Sequence, residues 1–436
     1  MQTIAAAESA DAAVPVGRNP AFRLLLKASS VSMLGSHVTS IAYPLLVLRL
    51  TSSPFEAGWV AFAAIGPSLL VHVPAGALVD RWDPRRAMLV SEAGRGAAIA
   101  AVVITLAIGM PNVPLLTAAA VVEGVLEVFS TLAERRCVGS LVRRDQVPSA
   151  LVRLEARTHV MVLAGRPLGA LLFGIAPIMP FGADVASFIY SGTALFMLKS
   201  RWPAAAKSRL HKERAPVNRL SDDIRNGLSR VRHDRFACVL IVAFSMGTLI
   251  FQALIMVVIA DAHVQKLSPL TIGMVLAASG VGGAFGSAAA SPLLGRIRYP
   301  WIRLQTMIWF AGFAVLGLLV ERQFILMAAV MAVLGFTGAM GNIELDIHLM
   351  RNFDKDMLAR VTSVSRLAVL IACAVGPALG GTLVQEFGIK GAMACLFLIT
   401  SALPLLAVMA PVTAGAQARS DQVAVSDAPV PVAQSL

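Results

Sequence analysis

Two glutamates, Glu123 and Glu127, stand four residues apart in the apolar stretch LLTAAAVVEGVLEVFSTLAE, on one face of any helix formed there. Two carboxylates one turn apart resist being ionised together when water is scarce, so one of them can take up and release a proton. The same pair can also serve an arginine. Two arginines interrupt apolar runs of their own: Arg95 in EAGRGAA and Arg166 in AGRPLG. Proton or cation binding and plain structural pairing are both open for the glutamates. Arg95, flanked by Gly94 and Gly96, reads first as a structural ion-pair partner. Arg166 reads as part of a helix-packing surface, with contact to an anionic substrate as its other reading.

Other familiar chemistry is missing. There is no GxxxxGK[ST] phosphate loop, no HExxH, no GxSxG and no metal-spaced His/Cys cluster. The four cysteines, Cys137, Cys238, Cys373 and Cys395, have no CxxC or paired spacing and read as buried thiols. No enzyme, no cofactor and no metal are expected.

The elements that carry these charges need lipid around them. Of 436 residues, 57% are hydrophobic and only 14% charged, with mean hydropathy +0.75; a soluble domain carries about a quarter charged residues. A bilayer core takes about 20 helical residues to cross. Stretches of that kind lie at 24–50, 57–79, 88–110, 115–133, 150–173 and 183–198, and again at 236–260, 269–294, 304–320, 324–345, 359–385 and 391–410. The expected organisation is a disordered N-terminus (1–20), a six-helix bundle (21–200), a basic cytoplasmic linker (201–235), a second six-helix bundle (236–410) and a disordered tail (411–436). The first twenty residues show no basic segment followed by an apolar core, so no cleavable signal peptide is expected.

The net charge is +12 and the pI about 10.3. The basic residues sit between apolar runs, where they set topology rather than bind nucleic acid. With the N-terminus inside, all 37 Lys and Arg fall on the cytoplasmic side except Arg49, Lys266, Arg322 and Lys390 outside and Arg95 and Arg166 within spans. Cytoplasmic N- and C-termini follow. The halves also match: GRPLGALL at 165–172 aligns with GPALGGTL at 376–383, and the same offset carries Asp145 onto Asp356 and Gly124 onto Gly335. A duplicated six-helix unit is typical of secondary transporters, whose substrate site lies between the halves.

Between the second and third spans runs GALVDRWDPRR, residues 76–86. Gly76 leaves room for a neighbouring helix. Asp80 ends a helix where an anion can face the positive N-terminus of another. Arg81, Arg85 and Arg86 can pair with Asp80 or meet anionic headgroups. With the twelve spans, the repeat and the basic middle, this stretch resembles the loop motif of the major facilitator superfamily, Gly-x-Leu-x-Asp-Arg-x-Gly-Arg-Arg, with Asp83 where the glycine usually stands. DRWDPRR, LVRRDQVPSALVRLEART, PFGADVASF and LARVTSVSR look like stretches of the enterobactin exporter and macrolide efflux subgroup.

The resemblance implies an all-α membrane protein of two pseudo-symmetric six-helix bundles, and alternating access of a midplane cavity. It pairs Asp80 with the eleventh helix, beginning near Ala359, as a cytoplasmic gate. It places the first, fourth, seventh and tenth spans around the cavity, which nominates His37, Tyr43, Glu123, Glu127, Gln252 and Asn342. It makes Gly165, Arg166, Pro167 and Gly169, with Gly376, Pro377, Gly380 and Gly381, helix-bending or packing positions. Ala120 stands where many proton antiporters of the superfamily carry an arginine. Glu344 and Asp346 are expected to be exposed at the inner end of the tenth span. The implied activity is export of a small amphipathic molecule, such as a siderophore, a macrolide or another secondary metabolite, by proton antiport, from a monomer in the inner membrane. Proton-coupled nutrient uptake and a non-transporting receptor or scaffold are the alternatives.

Overall fold

The computed structural model describes residues 16–143, 146–198, 235–296, 300–320 and 323–408. The expected linker and tail, and most of the expected N-terminal segment, lie outside these residues. Six helices form the first half: α1 (Pro20–Thr51), α2 (Pro54–Val79), α3 (Pro84–Ala107), α4 (Val113–Leu141), α5 (Val147–Ile175) and α6 (Met179–Leu198). The second half has α7 (Arg235–Val264), α8 (Pro269–Arg296), α9 (Pro300–Val320) and α10 (Phe324–Asn352), then the stretch Lys355–Val408. Gly388 breaks that stretch at φ 67° and ψ 177°, giving α11 (355–387) and α12 (389–408). No strand occurs among the described residues.

Helix starts are written locally. Asn19, Ser53, Asp83 and Asn112 each accept hydrogen bonds from the first-turn amides of α1 to α4, with proline at the first or second helical position. Length and composition let these helices span a bilayer. Ten stretches satisfy both, one of them running through α11 and α12 together, and Leu304–Leu319 of α9 is a shorter apolar helix.

Glycine contacts reveal the duplication. A Cβ at Gly165 of α5 would strike His37 of α1, and one at Gly169 would strike the Val38 carbonyl. In the second half, Gly376 of α11 lies in the same way on Gln252 of α7, and Gly380 on the Ala253 carbonyl. Gly124 of α4 packs on the Ala64 carbonyl of α2, as Gly335 of α10 packs on the Ser279 carbonyl of α8. The packing glycines are 211 residues apart and their partners 215. Backbone-to-backbone approach of this closeness admits no side chain, which is why glycine stands at both copies.

The halves meet at one end. Gly58 of α2 lies on the Pro377 carbonyl and Gly381 of α11 on the Pro54 carbonyl; Gly273 of α8 lies on Pro167 and Ala170 of α5. One large apolar cluster around these contacts draws on both halves. At the opposite end, beside Asp80, a second cluster containing Phe22, Val79, Met88, Cys137 and Leu195 comes from the first six helices alone. Among the described residues, the closest glycine contacts between the halves thus gather at the Pro54 end.

Candidate functional site: a central cavity beside a buried charge network

Between the halves lies a cavity of about 440 Å³. Its first-half wall carries nearly all of its polar groups: Ser36, His37, Ser40 and Tyr43 of α1, Ser68 and His72 of α2, Glu123, Glu127 and Thr131 of α4, and Arg166 of α5, set among Ile41, Ala61, Ala64, Ile65 and Val128. The second-half wall is Ile255, Met256 and Ile259 of α7 with Leu370, Cys373 and Pro377 of α11, and its one amide is Gln252. Of the residues nominated from sequence, His37, Tyr43, Glu123, Glu127 and Gln252 line this cavity. Asn342 does not: it is exposed on α10 and absent from the lining. Gly341, beside it, packs toward Phe244 of α7.

Behind the polar wall, Arg95 of α3 gathers acids. Its guanidinium is 3.8 Å from Glu92, 3.8 Å from Glu123 and 4.0 Å from Glu127. It donates to Ser36 Oγ at 2.5 Å and stacks over Phe188 at 4.7 Å. Asp184 of α6, fully buried, accepts from Thr39 Oγ1 and Ser187 Oγ, each at 3.0 Å. Side-chain exposure separates the two helix-α4 acids: 8% for Glu123 and 46% for Glu127. One arginine cannot neutralise four carboxylates in so dry a place, and an uncompensated buried charge costs several kcal/mol. Acids thus outnumber the cation in this cluster, and Glu127 is its face toward the cavity.

A second buried pair ties α4 to α5. Arg157 grips Glu134 with two hydrogen bonds, 2.6 and 3.1 Å, and also donates to Ser29 of α1 at 2.5 Å. Sequence reading assigned roles to none of Glu92, Glu134, Arg157 and Asp184. Glu92 was detectable, three residues before Arg95 and so on its helical face.

The loop motif behaves differently from expectation. Asp80 pairs with Arg136 of α4 at 3.4 Å, and Arg136 also holds the Val79 carbonyl. Arg85 donates to the carbonyls of Leu195 and Phe196, at 2.7 and 3.0 Å, capping the last turn of α6. Asp83 caps α3 through the amides of Arg85 and Arg86. Arg81 and Arg86 are exposed. A Cβ at Gly76 would meet nothing within 4 Å. The close approach expected at Gly76 is not made in this conformation, because the recorded contacts between α2 and α11 lie at the other end. Glu344 also departs from expectation: it is buried, whereas Asp346 is exposed.

Comparison with known proteins gives a consistent result. The family model of the Major Facilitator Superfamily matches residues 25–303 and 252–433. The multidrug efflux pump Tap of Mycolicibacterium fortuitum is 24% identical over 404 residues, 89% of this chain and 95% of that one. Tap of Mycobacterium tuberculosis is 40% identical over 85 residues, and the match spans only 20% of its length. Among solved structures, a bacterial homologue of the iron transporter ferroportin in an inward-facing state superposes with TM-score 0.69 at 13% identity, covering 89% of this chain and 98% of that one. The nucleoside transporter NupG gives 0.67 at 10% identity, with the same coverage. At such identities the likeness is one of fold.

Proposed function

Because the chain belongs to the Major Facilitator Superfamily, we propose that it is a secondary transporter that exports small amphipathic molecules across the cell's inner membrane by alternating access, driven by proton antiport. The observation that carries this reading is the cavity itself, with its polar groups gathered on one wall and the other almost wholly apolar, and an excess of carboxylates over arginine directly behind the first. An amphipathic cargo suits such a pair of walls. A proton held at Glu127 or Glu123 suits a coupling step, since releasing it changes the charge that Arg95 must balance. The Tap relatives, named multidrug efflux pumps, support the outward direction, as does the resemblance of DRWDPRR to siderophore and macrolide exporters.

In this reading the Asp80 end faces the cytoplasm, with both termini there, as the placement of Lys and Arg supports. The conformation then faces inward. Closing that side brings Asp80 and Gly76 toward the start of α11 and parts the contacts made by Gly58, Pro377, Gly273 and Pro167. Gly165, Gly169, Gly376 and Gly380 keep α5 on α1 and α11 on α7 while the halves rock as a monomer.

The test is accumulation of ethidium and other fluorescent amphiphiles in cells expressing the protein. Export predicts lower accumulation than in control cells, and Asp80→Asn abolishes the difference. Raised accumulation would establish uptake instead. No flux of any probe, in cells or in proteoliposomes, would leave only a receptor or scaffold.

A further inference from the structure

Arg166 is the one cavity-lining charge with no ion-pair partner among the described residues. Glu123 and Glu127 share Arg95, whereas Arg166, among the described residues, neighbours the Cys373 thiol and His37. Packing does not explain it. The repeat places Pro377 at the matching position of α11, and Gly376 and Gly380 seat that helix on α7 just as Gly165 and Gly169 seat α5 on α1. The same contact is therefore built without a charge. An arginine kept at membrane depth with no acid beside it points to an anion that arrives from elsewhere.

The surroundings define that anion. Across the cavity from the polar wall stand Ile255, Met256, Ile259 and Leu370, and about 440 Å³ accommodates a drug-sized body. We infer that Arg166 is the docking point for the acid group of an amphiphilic substrate, a carboxylate held by the guanidinium fork while its apolar body lies along α7 and α11. A planar fork matches a carboxylate in a bidentate way that an ammonium cannot. Glu127, 46% exposed on the same wall, repels such an anion when ionised and admits it when protonated. This inference rests on the transport reading for the fate of the bound molecule, not for its binding.

Cys373 supplies a built-in reporter, since it lines the cavity near Arg166, while Cys238 and Cys395 are absent from the lining. The full-length protein in phosphatidylcholine nanodiscs is treated with N-ethylmaleimide. Alkylation of each cysteine peptide is read by mass spectrometry in the presence of 11-(dansylamino)undecanoic acid, its primary amide or the corresponding amine. The acid should protect Cys373 at concentrations about tenfold lower than the amide or amine, the effect of one charge-assisted hydrogen-bonded pair. Arg166→Gln should raise the acid's requirement to that of the amide, and Arg166→Lys should keep part of the preference. Equal protection by all three, no protection by any, or a preference that survives Arg166→Gln would overturn the assignment. A preference for the acid with no flux in proteoliposomes would leave the anion site standing and remove the transport reading. Flux of the amine without any acid preference would do the reverse.

Discussion

The two halves share one framework of helix contacts and almost none of its charge. Laid on each other by their packing glycines, Glu123 falls on Leu334, Glu127 on Gly338, Glu134 on Leu345, Arg157 on Ala368 and Arg166 on Pro377. On α1 and α7, Ser36, Thr39 and Tyr43 fall on Phe251, Leu254 and Val258. The packing glycines stand in both copies, whereas these matched positions are ionisable only in the first; the second half buries Asp261 and Glu344 at positions of its own. The shared helix contacts thus do not require these charges. The second half supplies an apolar wall across the cavity.

The comparison can be broken where it is most extreme. Arg157→Ala leaves Glu134 buried beside Ser29 without its cation, and loss of one partner of a buried pair costs roughly 3–5 kcal/mol. Thermal unfolding in detergent should show the largest drop of any single change considered. Adding Glu134→Leu, which imitates Leu345 and Ala368 of the second half, should recover most of it. If the double variant is no better than the single, the pair has a use beyond mutual neutralisation.

Symmetry makes the next test. Gly124→Val and Gly335→Val each force a side chain into a backbone carbonyl, of Ala64 and Ser279 respectively, and overpacking of this kind costs about 1–3 kcal/mol. The two melting temperatures should fall by similar amounts. A large fall in only one would mean that the halves do not share this contact energetically.

Asp80→Asn sits at the small end for stability. Asp80 is partly exposed and its ion pair with Arg136 is at the surface, so the change should cost less than about 1 kcal/mol, while the proposed export should be lost. An equal loss of fold and flux would reduce the motif to an ordinary turn. The matching loop of the second half, GRIRYPWIR, contains no acid, so no counterpart of this effect is expected there.

Much of this was legible from residue order. Hydropathy found the spans, and GRPLGALL against GPALGGTL found the duplication, because close backbone approach writes glycine at fixed spacing. Glu123, Glu127 and Arg95 stood out as charges inside apolar runs. Glu134 did not, because hydropathy ended the fourth span at 133 while α4 continues to Leu141, and a charge past the apolar stretch reads as interfacial; Arg157 did not, because it stands among the polar residues RLEART in the first turns of its span at 150–173. Asp184, one residue inside its expected span at 183–198, was hidden for the same reason, since α6 begins at Met179. The contact of Asp80 could not be read at all: its partner Arg136 lies 56 residues along the chain, and which helix end faces Asp80 is a matter of packing rather than of residue order.

The central claim is that coupling resides in the first half and the second half is a passive apolar wall. It is tested most directly in proteoliposomes under an imposed pH gradient, by recording proton movement driven by whichever dansyl probe the protein carries. Glu127→Gln should abolish gradient-dependent flux while leaving downhill exchange of the probe, and Gln252→Leu, on the second-half wall, should leave coupling intact. Coupling that survives Glu127→Gln and fails with Gln252→Leu would contradict the account.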